Sequence, residues 1–168
     1  PPIEGIVSAG ITIATRSGNP AVLNNILPLV DDCSDKATAA TLYHQISETL
    51  YRVGDFRQAV LVLKKAGNPH YTPALFQTSI KLIIEGIHHN ETGFIRENLL
   101  AGEVTGIADS LIQQAVTGFC MECSLDEAAG HMPAIKELAA VHQSQDRLLL
   151  ECGSILLERG FMQEKGPA

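Results

Sequence analysis

The chain has 168 residues, enough for one domain, and a formal net charge of −7 from 12 Lys and Arg against 19 Asp and Glu; its scattered cations exclude the clustered basic footprint of a nucleic-acid binder. Charged residues make up 18% and hydrophobic residues 45%, against roughly 25% charged in an average domain, so there is ample apolar surface to bury. With 5% aromatic residues and no Trp, the core has to be built from Leu, Ile, Val and Ala, the set that packs helix on helix.

The first segment, 3–16, carries Val7, Gly10, Ile11 and Ala14 at helical spacing. Ser17 to Pro20 form a turn, with Asn19 as N-cap and Pro20 at the first helical position. A second helix follows through Leu23, Leu27 and Val30, and Pro28 is expected to end or kink it early. Asp31 to Asp35 read as a solvated connector.

The stretch 38–73 is a helical hairpin. Tyr43, Ile46, Ser47 and Leu50 form one stripe, Gly54 stops the helix, and Asp55 with Gln58 makes a capping box for the next. That second helix buries Phe56, Ala59, Leu63 and Ala66, with Gly67 as its C-terminal cap and Pro69 barring continuation. Ser47 and Ala59 are small enough to let the two helices approach closely.

Another helix starts at Thr72 and Pro73 and runs to about Ile87 through Leu75, Phe76, Ile80, Ile83 and Ile84, with a turn at 88–92 and a partner helix ending at Leu100. Two registers fit, one through Phe76, Ile80 and Ile83 and one through Ile80, Ile84 and Ile87, so the turn has room for an extra residue or two. From Thr105 a helix carries Ile112, Ala115, Val116 and Phe119 as far as Cys123, where Ser124 and Glu127 make a second capping box. Leu125 and Ala128 repeat the roles of Phe56 and Ala59, Gly130 and Pro133 interrupt, and a helix covers 133–142. Finally Leu149, Cys152, Gly153 and Leu156 restate the stripe, with Gly160 as the turn before an incomplete partner.

The turns recur: Gly18 to Gly54 is 36 residues, Gly54 to Cys123 is 69, about two periods, and Cys123 to Gly160 is 37. The hairpin 38–73, with its "GDF" turn and the "QA" that follows, resembles one tetratricopeptide repeat, although Tyr43 stands where the family has Trp and the closing proline is displaced. The resemblance implies an all-α fold, a right-handed α-solenoid of antiparallel helix pairs with about nine or ten helices. It would be a single domain over 1–168, with units 3–33, 38–69, 72–101, 105–142 and a partial 145–168. The pentatricopeptide family, which binds RNA, shares the period, but the acidic balance argues against it.

The same resemblance implies a non-catalytic scaffold or adaptor of a larger assembly, in which the first helix of each pair lines a concave groove for a peptide or a partner's helix. By alignment the lining is Thr12 and Arg16, then His44, Gln45, Glu48, Tyr51 and Arg52, with Gln77, Lys81 and Glu85 joining them at four-residue spacing. Gln113, Gln114, Thr117 and Met121 follow, then Arg147, Leu150, Glu151, Ser154 and Glu158. These are equally the solvated faces of amphipathic helices. The Lys and Arg cluster that clamps a C-terminal carboxylate in some family members is missing.

No Ser-His-Asp set, Gly-rich phosphate loop or H-E-x-x-H motif occurs, so neither catalysis nor a cofactor is expected. Cys120 and Cys123, with His131 nearby, support an alternative, a metal- or redox-responsive regulatory domain. Against it, no second C-x-x-C exists and the pair closes an apolar helix, where Cys behaves as a small hydrophobe. His88 and His89 sit in a polar turn. Four cysteines embedded in helical patterns point to a reducing, intracellular compartment, cytoplasmic or nuclear. No apolar run reaches the roughly 18 residues that span a bilayer, and no basic signal-peptide start is present. The chain opens PPIEG and closes QEKGPA and is expected to be a piece of a longer protein.

The last helix is apolar nearly all round. Leu148, Leu150 and Leu157, extended by Phe161 and Met162, are expected to form a terminal interface. A further helix of a longer parent, a partner subunit or a second copy of the chain would cover it.

Overall fold

The computed structural model describes residues 2–67, 72–103 and 105–164, with side chains of the last helix described as far as 160. Among the described residues every regular element is helical: ten α-helices and one π-helical turn, with no strand. In chain order they are α1 (Ile3–Ser17), α2 (Ala21–Asp31), α3 (Lys36–Arg52), α4 (Phe56–Ala66), α5 (Pro73–His88), α6 (Thr92–Ile95), the π turn (Arg96–Leu100), α7 (Thr105–Glu122), α8 (Leu125–Gly130), α9 (Met132–Ala139) and α10 (Gln145–Glu164). They gather into two compact units, Pro1–Leu82 and Ile83–Ala168, the division falling within α5.

In the first unit α3 is the central helix, packed against α4, α1 and α2. Tyr43, Ile46, Ser47 and Leu50 are buried as their spacing predicts, as are Ala59, Leu63 and Ala66 of α4, the helix on which α3 packs. Phe56, expected in that stripe, is only half-buried, while Val60 and Val62 are buried instead. Full burial of each such Leu, Ile or Val contributes roughly 1.5–3 kcal/mol. Ser47 Oγ donates to the Ala59 carbonyl at 2.7 Å, so the two backbones pass with no room between them. The turn is held by Gly54 at φ 89 and by the Asp55 carboxylate, which accepts the Gln58 N–H. Gly67 closes α4 in an extended conformation, and Pro69 lies outside the described residues.

The first hairpin is built likewise, with Gly18 at φ 68 and Asn19 Oδ1 accepting the Ala21 N–H at 2.9 Å. A Cβ on Gly10 would collide with Ile26 Cδ1, so the glycine makes room for the side chains of α2 against α1. Two expectations are corrected here. Pro28 does not stop α2, which continues to Asp31; the proline lies on an exposed face of the last turn, where water can serve the carbonyl deprived of its donor. Nor is 31–35 a mere connector. The Asp31 carboxylate accepts from the Tyr43 hydroxyl and pairs with Lys65 Nζ at 3.0 Å, joining α2, α3 and α4, and Asp35 caps α3 through the Ala37 N–H and Thr38 Oγ1.

Helix α5, capped by Thr72 Oγ1, buries Leu75, Thr78, Ser79, Ile80, Leu82, Ile83 and Ile87, while Phe76 and Ile84 are half-buried. Its buried face therefore falls between the two registers the spacing allowed. Asn90 closes the turn after α5 in the left-handed conformation at φ 56, and the helix that follows, α6, opens at Arg96 into the π turn.

In the second unit α7 buries Leu111, Ile112, Ala115, Val116 and Phe119 and packs against α8, α9 and α10. Ser124 Oγ accepts the Glu127 N–H at 3.1 Å and starts α8. Thr92 Oγ1 of α6 donates to Glu137 Oε2 of α9 at 2.6 Å, and Arg96 Nη1 lies 3.2 Å from the same carboxylate. Gly160 is not a turn: α10 runs through it to Glu164. One glycine costs a helix roughly 1 kcal/mol against Ala, too little to end a helix held by α7, α8 and α9.

Candidate functional site

Each unit carries a polar cleft lined by residues of the expected groove. In the first unit, α3 places His44, Glu48 and Arg52 one turn apart, so the carboxylate of Glu48 is flanked by His44 Nε2 at 3.4 Å and Arg52 Nη2 at 3.6 Å. Thr78 of α5, only 4% exposed, brings its hydroxyl to the same point, 3.0 Å from Glu48 Oε1, 2.8 Å from His44 Nε2 and 3.1 Å from the Ala74 carbonyl. Its single proton has two acceptors within reach, Glu48 Oε1 and the Ala74 carbonyl, and the direction of its hydrogen bond with His44 Nε2 follows the tautomer of the imidazole. Glu48, Tyr51, Arg52, Thr78 and Lys81 enclose a small cleft of about 60 Å³. Gln45 and Gln77 are exposed. Glu85 lies in the second unit, with His89 Nε2 3.3 Å from its carboxylate.

The second unit holds a larger cleft, about 440 Å³, lined by Gln113 of α7, by His142 and Ser144 of the turn before α10, and by Arg147, Leu148 and Glu151 of α10. Gln113 Nε2 donates to Glu151 Oε2 across the helices at 3.4 Å. The turn is fixed by the Ser144 N–H, which donates to His142 Nδ1 at 2.9 Å, and by the Gln143 N–H, which donates to Asp109 Oδ1 at 3.3 Å. Gln113, Arg147 and Glu151 thus come together, with Leu148 as apolar floor. Gln114 turns back to Ser110 Oγ at 3.3 Å, and Thr117 Oγ1 donates to the Gln113 carbonyl at 2.7 Å. Met121, Ser154 and Glu158 are exposed along the same two helices, and Thr12 and Arg16 are exposed on α1. Spacing alone missed Thr78, whose buried hydroxyl looks like one more polar surface residue, and His142 and Ser144, which the turn rather than a helix delivers.

The terminal face differs from expectation in one residue. Leu148 is 2% exposed and belongs to the core, while Leu150 and Leu157 are 72% and 77% exposed. The side chains of Phe161 and Met162 lie outside the described residues.

The cysteines rearrange the expected pair. Cys120, Cys123 and Cys152 are all buried and free of disulfides. Cys152 S–H donates to Cys120, which with the nearby Arg159 charge holds the Cys120 thiol below its ordinary range against the opposing effect of burial. The same hydrogen bond, with burial, pushes Cys152 well up, and burial pushes Cys123 up. His131 is turned elsewhere: its Nδ1 is 3.3 Å from Asn90 Oδ1 and its ring meets Phe119 edge-on at 5.7 Å. Among the described residues no group of three or more His, Cys, Asp or Glu is placed to hold a metal ion, and no helix is long and apolar enough to cross a membrane. No known protein family, curated protein or solved structure matches the chain.

Proposed function

We propose that the chain is a non-catalytic interaction module, a solenoid of helix pairs resembling tetratricopeptide repeats, that holds an extended peptide or a helix of a partner protein against the first helices of its pairs. The packing within each unit supports the repeat reading. In the first, α3 packs on both members of the preceding pair, α1 and α2; in the second, α10 packs on α7 and on α8 and α9. Left-handed residues close successive hairpins at Gly18, Gly54 and Asn90, each 36 residues after the last.

The observation that carries the binding role is the cleft between α7 and α10. Arg147 lines it together with Gln113 and Glu151, whose side chains hydrogen-bond to each other across the two helices. Donors and acceptors side by side over an apolar floor suit the carbonyls and N–H groups of an extended backbone. An intracellular setting, cytoplasmic or nuclear, belongs to the same proposal.

Panning a random peptide library against the intact chain tests it. Selected peptides should bind Arg147→Glu at least about tenfold more weakly, a loss of about 1.4 kcal/mol, with a smaller loss for Gln113→Ala. Selected peptides that ignore Arg147→Glu, Glu151→Arg and Lys81→Glu alike would refute the assignment of these faces.

A further inference from the structure

We propose, building on the reading of the chain as an interaction module, that the outward face of α10, with the end of α7 beside it, is a docking surface for a basic amphipathic helix of a partner protein. Three polar contacts fix how the two helices lie: the Gln143 N–H donates to Asp109, Gln113 donates to Glu151, and Arg159 donates to the Cys120 carbonyl. Residue numbers rise together along both helices, so α7 and α10 run parallel, and two helices packed in this way leave a trough along their outer faces. Apolar side chains stand out into water there. Leu150 and Leu157, 72% and 77% exposed, lie two turns apart on one stripe of α10 with exposed Ser154 between them, and Met121 of α7 is 61% exposed. The tripeptide Leu-Leu-Glu occurs twice in α10, at 149–151 and 156–158, a seven-residue repeat of the kind with which one helix tracks another. In each copy the first leucine is half-buried, the second is exposed, and the exposed glutamate flanks it.

Charge decides the occupant. Exposed Asp146, Glu151 and Glu158 border the stripe, against one cation, Arg147, which lines the cleft. The imbalance extends through the unit: Ile83–Ala168 carries 13 Asp and Glu against 5 Lys and Arg, whereas Pro1–Leu82 carries 6 against 7. The net negative charge of the chain therefore resides in the second unit, which draws in a cationic partner and repels an acidic one. A second copy of the chain meeting this face with its own would set Glu151 and Glu158 against their like. A helix with apolar residues at i, i+3 or i+4 and i+7, and with Lys or Arg beside them, matches both the leucine stripe and the carboxylates that flank it.

A display library of amphipathic helices of about 18 residues, five turns, tests it, with the apolar stripe fixed and the flanking positions free to be Lys, Gln or Glu. The library is panned against the intact chain and depleted against Leu157→Glu, which alters an exposed side chain and whose folding circular dichroism verifies. Surviving helices should be enriched in Lys beside the stripe, should bind Leu157→Glu at least about tenfold more weakly and Glu158→Lys several-fold more weakly, and should lose affinity as salt is raised. Enrichment in Glu, no helix that survives depletion, or indifference to Glu158→Lys would each overturn the proposal. So would a dimer of the parent chain in sedimentation that Leu157→Glu dissolves, since a second copy would then cover the face. Neither substitution lies in the cleft, so Arg147-dependent peptides that persist when the helices fail would strike the helix-docking face alone and leave the proposed function standing.

Discussion

Replacing Ala59 with Phe places a ring where α3 and α4 come closest. Ala59 and Ser47 are both 0% exposed, and the hydrogen bond from Ser47 Oγ to the Ala59 carbonyl spans 2.7 Å, so the added atoms have no cavity to enter. Overpacking of this kind costs about 1–3 kcal/mol, and loss of the Ser47 bond as the helices separate adds about 1 kcal/mol. At roughly 2–4 °C per kcal/mol for a chain of this length, Ala59→Phe should melt about 4–16 °C below the parent. Far-UV circular dichroism during heating reads the shift. Leu61→Phe is the control, because Leu61 lies 38% exposed on another face of α4 and its replacement should cost no more than about 0.5 kcal/mol. Unchanged melting for Ala59→Phe, or equal shifts for the two variants, would refute the close approach.

The Tyr43 hydroxyl and the Lys65 ammonium hold the Asp31 carboxyl below its ordinary range, so the carboxylate stabilises the fold above the unfolded value of about 3.9 and loses that contribution as pH falls through its lowered folded value. With 42% of the side chain exposed, the effect should stay under about 1 kcal/mol; urea midpoints from about pH 7 to about pH 2 should fall further for the parent than for Asp31→Asn, and equal falls would contradict the pairing. Asn90→Gly should be nearly neutral, whereas Asn90→Ala should cost about 1–2 kcal/mol for forcing a Cβ into the left-handed region; equal denaturation midpoints for the two would sink this account. Leu148→Ala should cost about 2–5 kcal/mol, while Leu157→Glu should leave the stability within about 0.5 kcal/mol of the parent and reduce any self-association seen by sedimentation at several concentrations. Reversal of that ranking would mean that the face of α10 is misassigned.

What could be read from the amino acids alone was local. The stripe Tyr43, Ile46, Ser47 and Leu50 and the N-caps at Asp55 and Ser124 each depend on residues within a turn or two of one another and appear in the structure, although the Asp55 N–H goes to the Leu50 carbonyl and not to Gln58 as a full capping box would have it. What escaped was set by partners distant in the chain or by helix phase. Asp31 looks like a loop acid until Lys65 is brought beside it from 34 residues away. The stripe read through Leu149, Cys152, Gly153 and Leu156 is off in phase, because the helix is apolar nearly all round: Leu148 and Cys152 are buried while Leu149, Gly153 and Leu156 are half-buried, and packing against α7 decides it. A glycine at 160 reads as punctuation, yet the only left-handed residue other than glycine among those described is Asn90, in a turn whose "HHNET" sequence offers none of the usual glycine signal. Of the candidate site, the side chains projecting from helices were legible, and the turn residues His142 and Ser144 were not.

The π turn at Arg96–Leu100 bears on how such a chain can change length. One residue added to an α-helix turns everything beyond it by about 100°, enough to carry a buried side chain round to water. Here the surplus is contained within five residues: Leu99 and Leu100, adjacent in sequence, are both 8% exposed, and the Asn98 amide donates to the Phe94 carbonyl at 3.0 Å. The wider turn gives the chain a place where one residue more can be taken up inside five residues, between the turn at Asn90 and α7.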